Sequence, residues 1–383
     1  MSTQLNATII GAGRIGIGLA ADLLHRSGYQ ITIIGRGETI AELQRCGHAT
    51  VRLTDGTVTE DTTVPMTALF HSDAAATAAI AASDVVCIAV GADNIPAIAD
   101  QLAAGLGAAS RPVNVIAFEN REDAADVLRT ELTARLGEDA NRHGMTGTVI
   151  ARAVAQRVID DGVLVVGDRP EEFYVDAAAL TEPKPRIRGM VEVDDFRAYY
   201  RRKLYRYSAG HATAAYLGKI KGYRYLHAAV MDPEISVAVL NAMDEGRRGL
   251  KARYGAEVAG THDELLDILA RFRNAALGDT VARVGRDPRR KLRRSERLIG
   301  AARLAAKADV LPVYLTAAAA AALESDPDIA SSPECMRNCI ADITGLSTKH
   351  VVTRLIARAW ADLAAETSTE VPLLSLPEMS VTA

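Results

Sequence analysis

A strand–glycine–helix opening, apolar strand-like runs through the first half and helical spacing through the second predict the fold class. It is an α/β Rossmann-like N-terminal domain followed by a mainly α-helical C-terminal domain. The predicted limits are 1–188 for a dinucleotide-binding domain, 189–365 for a helical substrate domain and 366–383 for a tail. At 383 residues the chain is long for one core and sufficient for two.

The first segment, ATIIGAGRIGIGLAADLLHRSGYQITIIGRG, spans 7–37. A short apolar strand, Ala7–Ile10, meets Gly11, Gly13 and Gly16 in the pattern G-x-G-x-x-G. A helical stretch follows to about Arg26 and Gly28 ends it. A second strand, Ile31–Ile34, closes a β-α-β unit, the context that gives the glycine pattern its meaning. Gly11 permits a tight turn, Gly13 lets a pyrophosphate approach the backbone, and Gly16 lets helix and strand pack closely. Ala12, Arg14 and Ile15 share that loop, and the helix N-terminus faces the phosphates. An NAD site usually carries Asp or Glu at the end of the second strand, for the ribose 2′-hydroxyl. Here Gly35 and Arg36 stand there. The missing carboxylate and the available guanidinium predict NADP, with NAD as the alternative.

VRLTDGTVTE (51–60) predicts a hairpin turned at Asp55-Gly56. DVVCIAVG (84–91) and PVNVIAFEN (112–120) predict buried strands. Polar or glycine residues at the ends of such parallel strands face the ligand crevice. Val90, Gly91, Glu119 and Asn120 are therefore cofactor-edge candidates. TEPKPRIRG (181–189), with two prolines, predicts a linker, and the helical spacing begins after it. A cleft between the two domains is the expected place for a second reactant.

The totals exclude several classes. Lys and Arg number 44 against 48 Asp and Glu, a net charge of −4, and aromatic residues make up 4%. Neither nucleic acid nor an anionic membrane is an expected partner. Four cysteines make no disulfide framework and predict a reducing cytoplasm. Cys335 and Cys339 lack the further ligands of a zinc set. Met1–Asn6 is too short and polar for a signal peptide, and Ala317–Leu323 is too short to span a membrane. The oligomeric state stays open.

KLYRYSAGH (203–211) places Lys203, Ser208 and His211 at spacings of five and three. On a straight helix Lys203 and His211 lie about 80° apart, with Ser208 one turn from His211. That spacing permits convergence. Read from the residues alone, the stretch is either a decorated surface helix or a site aimed at one substrate atom.

Together GAGRIG, DVVCIAVG, AFEN, KLYRYSAGH with AYLGKIKG, and RFRN…VGRDPRRKL…RLIG resemble, in order, the polyol-specific long-chain dehydrogenases. The resemblance runs over most of the chain. It implies metal-free oxidation of a secondary alcohol with a nicotinamide cofactor, on a polyol or sugar phosphate. Mannitol 1-phosphate and fructose 6-phosphate are the expected pair. Another sugar, cyclitol or sugar-like alcohol is the alternative, and a non-catalytic nucleotide sensor is the rival from another class. The family signature is Lys, Asn five residues on, and His three further. The resemblance assigns Lys203 as general base, His211 as a substrate-orienting partner, and Ser208, in place of Asn, as an altered oxyanion contact. Arg152 departs from the family's small polar or acidic residue and is either a surface residue or an added positive charge at the substrate. Asn274, Arg286, Lys291 and Arg297 are further substrate-binding candidates, the last three as clamps on a sugar phosphate.

Overall fold

The computed structural model describes residues 4–326 and 333–366. The tail expected after Glu366 lies outside them. The chain divides into two compact units, Met1–Tyr200 and Arg201–Ala383.

In chain order the described strands are β1 (Leu5–Ile10), β2 (Tyr29–Gly35), β3 (His48–Thr54), β4 (Thr59–Pro65), β5 (Thr67–Phe70), β6 (Val85–Ile88), β7 (Asn114–Ala117), β8 (Gly144–Gly147), β9 (Val149–Ile150), β10 (Val154–Ile159), β11 (Val163–Gly167), β12 (Phe173–Asp176) and β13 (Met190–Val193). The first unit is built on a six-stranded parallel sheet of order β5-β2-β1-β6-β7-β8. β6 (VVCI) and β7 (NVIA) are buried at every position. This is why they read as unbroken apolar runs rather than alternating ones. The order reverses beside β1, with β2 on one side and β6 on the other. The ends of β1 and β6 therefore form the switch point of the sheet.

Two smaller sheets complete this unit. β10-β11-β3-β4 contains the expected hairpin, with Thr54 opposite Thr59. Its loop is longer than a two-residue turn. Asp55 Oδ1 accepts from the Thr57 and Val58 amides at 2.9 and 2.8 Å. β13-β12-β9 is the third sheet, in which β12 and β13 run parallel. The proline-rich segment read as a linker joins these two strands and so lies within the first unit.

After the glycine loop the chain forms a π-helical stretch, Gly16–Ala21, before the helix Asp22–Arg26. A Cβ on Gly18 would approach Val165 and Val154 side chains at 2.5 and 2.8 Å, so the second sheet packs directly on this turn. Arg152 reaches the same place. Its Nη1 donates to the Gly18 carbonyl at 2.8 Å and to Asp22 Oδ2 at 2.7 Å, and its Nε donates to the Pro170 carbonyl. Neither Arg152 nor Asp22 exposes any side-chain surface. This corrects the reading of Arg152 as a surface or substrate-binding residue. Its guanidinium braces the π-helical stretch against the second sheet.

The second unit is helical. The helix Phe196–Tyr205 enters it, followed by Tyr207–Ile220, Pro233–Tyr254, Asp263–Phe272, Ile299–Lys307, Val313–Glu324, Pro333–Thr344 and Val351–Glu366, with four-residue helices such as Val281–Val284 and Pro288–Lys291 among them. Asp232 caps the longest helix by accepting from the Glu234 and Ile235 amides. Within that helix Glu245 is buried and takes the Tyr314 and Leu315 amides at 2.9 Å each. A carboxylate thus supplies the cap that Pro312 cannot give the Val313–Glu324 helix. Small residues allow the helices to approach. A Cβ on Gly246 would stand 2.1 Å from the Tyr205 carbonyl oxygen. No described helix is long and apolar enough to cross a membrane.

Breaking a buried ion pair leaves a charge without its partner. Arg152→Leu is expected to destabilise the protein by about 3 kcal/mol in urea unfolding, with Asp22 left facing only Arg26. A loss below about 1 kcal/mol would contradict the bracing role, since that is the range of an exposed pair.

Candidate active site

Two groups of residues stand out, one in each unit. In the first, a cleft of about 510 Å³ opens at the sheet's switch point. Gly11, Ala12 and Gly13 line it beside Ala89 and Val90, with Gly35, Arg36, Gly37, Glu38 and Thr39 along another wall. The glycines fit a dinucleotide. Gly11 has φ +119°, and a Cβ there would strike the Ala89 carbonyl oxygen at 2.2 Å. A Cβ on Gly16 would stand 1.9 Å from the Gly11 oxygen. Gly13 meets only one atom within 4 Å, at 3.9 Å, so its open side is where a pyrophosphate can approach the backbone.

Arg36 is exposed on this cleft, and no hydrogen bond or ion pair among the described residues engages it. Sequence reading missed Arg157. It arrives from β10, lines the same cleft and donates from Nη1 to the Ala12 carbonyl at 2.9 Å. Only the pairing of distant strands brings it there. Glu38 also lines the cleft, so a carboxylate stands three residues beyond the position where it was judged missing.

Arg14 turns aside to the Ala155 carbonyl at 2.8 Å, while Ile15 packs on the core. Gly91 and Glu119 act together. Glu119 is buried and accepts from the Gly91 amide at 2.8 Å, with Val90 and Ala92 amides also directed at it. Burial pushes its carboxyl up to about 7 against those amide hydrogen bonds. Glu119 therefore holds the turn after β6, where Gly91 has φ +88°. Asn120 is exposed.

The second group surrounds KLYRYSAGH. This stretch is not one straight helix. It breaks at Arg206, with φ −110° and ψ −82°, between the helices Phe196–Tyr205 and Tyr207–Ile220. Arg206 is buried and bonds the Ala259 carbonyl and Glu264, which also takes Arg202. A glycine within a helix, such as Gly210, can loosen it. Here the position is needed for packing, since a Cβ would meet Met243 at 2.6 Å. The break replaces the simple angular relation between Lys203 and His211.

Around the break the electrostatics converge. Burial, then the charges of Arg297 and Arg271, pushes Lys203 down to about 8. Burial also lowers His211, with Asp279 opposing and Arg283 and Arg297 assisting. Burial, then Arg297 and Arg290, brings Lys291 down to about 8. Arg297 thus acts on all three. Its own Nε bonds Glu296 Oε2 at 3.1 Å and its side chain is 15% exposed. Ser208 is buried, and its hydroxyl makes no hydrogen bond among the described residues.

The other expectations divide. Lys291 is buried, its ammonium bonded to the Val284 carbonyl and 5.8 Å from the Tyr216 ring centroid. Arg286 is exposed and bonds the Arg283 carbonyl at 3.1 Å. Asn274 is buried, with its carboxamide oxygen accepting from the Ala276 amide at 3.1 Å. Sequence reading missed Asp279, Arg271 and the rings around His211. His211 stacks on Phe272 at 5.1 Å and lies 5.6 Å from Tyr207, over which the Arg271 guanidinium sits at 4.9 Å. The side chain of Cys335 lies outside the described residues.

Residues 6–189 match the mannitol dehydrogenase Rossmann domain, and residues 195–334 match the mannitol dehydrogenase C-terminal domain. The chain belongs to the mannitol dehydrogenase family. It is 32% identical over 384 residues to a mannitol-1-phosphate 5-dehydrogenase of Pseudarthrobacter chlorophenolicus, covering 94% of this chain and 99% of that protein. It is also 32% identical over 331 residues to one of Alternaria alternata, covering 83% and 85%. Among solved structures, the Pseudomonas fluorescens mannitol 2-dehydrogenase ternary complex with NAD and D-mannitol matches with a TM-score of 0.70 at 16% identity, over 95% of this chain and 92% of that one. A D-sorbitol dehydrogenase matches with a TM-score of 0.72 at 14% identity, over 95% and 90%. At these identities the structural matches establish the fold.

Glu119→Ala should release the turn at Gly91 and weaken dinucleotide binding by roughly tenfold, a loss within the worth of a charged hydrogen-bond acceptor. Cofactor titration followed by fluorescence measures it. Unchanged affinity would contradict the assigned role of Glu119.

Proposed function

We propose that this protein is a nicotinamide-dependent polyol-phosphate dehydrogenase that interconverts mannitol 1-phosphate and fructose 6-phosphate, with NADP preferred and Lys203 as its acid–base group. The observation that carries the reading is Lys203 itself, brought down to about 8 by burial and by Arg297 and Arg271. An amine near neutrality is suited to proton exchange with an alcohol. Family membership supports the reaction class, and the relatives named mannitol-1-phosphate 5-dehydrogenase support the substrate.

When bound, the cofactor supplies the hydride acceptor for oxidation or the donor for reduction. The chain's own residues handle the proton and the substrate. In oxidation the neutral Nζ of Lys203 takes the hydroxyl proton as the carbon–oxygen bond becomes a carbonyl. In reduction its ammonium returns that proton to the forming alkoxide. His211 orients the substrate. The Ser208 hydroxyl, shorter than the amide of Asn, donates toward the substrate oxygen. Lys291 and Arg297 neutralise the phosphate, with Arg286 and Asn274 as further substrate contacts.

Arg36 and Arg157 support NADP, since both guanidiniums border the cleft at the glycine loop. Glu38 supports NAD as the second reading, since a carboxylate on the same wall is an acceptor for a ribose hydroxyl. Among the described residues Cys46 and Cys87 are free thiols, which supports the cytoplasm as the compartment.

Turnover of a polyol panel, followed by reduced-cofactor absorbance, tests the function. Mannitol 1-phosphate should be oxidised far faster than free mannitol. Equal rates would remove the phosphate clamp, and no turnover with any polyol would overturn the reading. The apparent pKa fixes the pH dependence. Oxidation needs the neutral amine, so its kcat/KM should rise through about pH 8, whereas reduction should fall there. Arg36→Ala should weaken NADP selectively. Tighter binding of NAD by the unmodified protein would favour the reading based on Glu38.

A further inference from the structure

His211 has one ring nitrogen committed and the other open. Its Nε2 lies 3.4 Å from Asp279 Oδ2. Asp279 is itself well fixed. Arg283 pairs with its carboxylate, and its backbone carbonyl accepts from the Leu226 amide at 2.9 Å. The neighbouring Thr280 bridges to Tyr225. The imidazole packs against Phe272 and Tyr207, which also touch each other, and keeps 20% of its side-chain surface exposed. No hydrogen bond among the described residues engages Nδ1.

A carboxylate facing one nitrogen of a neutral imidazole selects the tautomer with its proton on that nitrogen. The geometry points to Asp279 as a positioning residue that keeps the proton of His211 on Nε2, so that bare Nδ1 accepts a hydrogen bond from a substrate hydroxyl. This rests on the dehydrogenase reading above and assigns the orientation of His211 within it. Lys203 takes the reacting hydroxyl, and Nδ1 takes a neighbouring hydroxyl of the same substrate. The charged groups acting on His211 are Asp279, Arg283 and Arg297, and burial with the two arginines favours the neutral ring.

The test is ¹⁵N-histidine NMR of the whole protein, with the His211 resonance assigned by its loss in His211→Gln. The expected ring is neutral with the proton on Nε2, and its Nδ1 resonance should shift on adding mannitol 1-phosphate. In Asp279→Asn the proton should move to Nδ1. Its kcat/KM for that substrate should fall roughly 10–100-fold, mainly through KM, a usual range for losing a group that orients a histidine. Asp279→Glu should recover most of the loss. An Nδ1–H tautomer in the unmodified protein would overturn the inference, even if Asp279→Asn fails to fold. So would an unchanged KM in an Asp279→Asn protein whose tautomer has switched. Should the unmodified protein turn over no polyol, the dehydrogenase reading fails, while the tautomer measurement still decides the role of Asp279.

Discussion

An ammonium group that is partly buried near guanidinium groups is unfavourable, and Lys203 stands in that condition. Lys203 loses water and feels Arg297 and Arg271, with burial the larger effect. Such a group must be surrounded by residues that are themselves fixed. Glu296 holds Arg297, and Arg271 rests over Tyr207. The helix carrying Lys203 is pinned by the Tyr205 hydroxyl donating to the Ser295 carbonyl at 3.1 Å. The break at Arg206 redirects the chain so that Ser208 and His211 follow on a second helix, and Glu264 secures that break through two arginines.

The first unit solves a different problem, bringing a backbone close to a bulky anion. Its glycines are constrained for different reasons. At Gly11 and Gly16 a side chain would collide with carbonyl oxygens, whereas Gly13 has open space. The cleft is kept in shape from outside. Glu119 holds the turn after β6, and Arg152 with Asp22 holds the π-helical stretch after the glycine loop. Both rely on buried ionisable side chains whose partners lie elsewhere along the chain. They stabilise the surroundings of the cleft without lining it.

Much of this was legible because it is local. The glycine pattern between strand and helix, the buried β6 and β7, the hairpin and the main helices all follow from spacing and residue type. The unread features depend on contacts across long sequence distances. Arg152 has charge and a place near the family's site, and nothing local says that Asp22, 130 residues away, neutralises it. Arg157 and Asp279 were missed for the same reason. The helix break at Arg206 was missed because its cause is tertiary. The stretch has no proline, and its one glycine, Gly210, is needed for packing against Met243. Arg286, Lys291 and Arg297 are alike in sequence as phosphate-clamp candidates, yet they separate into a buried Lys291, a partly buried Arg297 and an exposed Arg286.

The central claim is that Lys203 exchanges the substrate proton while hydride moves. Single-turnover hydride transfer by Lys203→Ala, with cofactor and mannitol 1-phosphate both bound, tests it most directly. The account predicts a rate about 10²–10⁴-fold below that of the unmodified protein, the usual worth of a positioned acid–base group, with cofactor affinity retained. A rate close to that of the unmodified protein would contradict it.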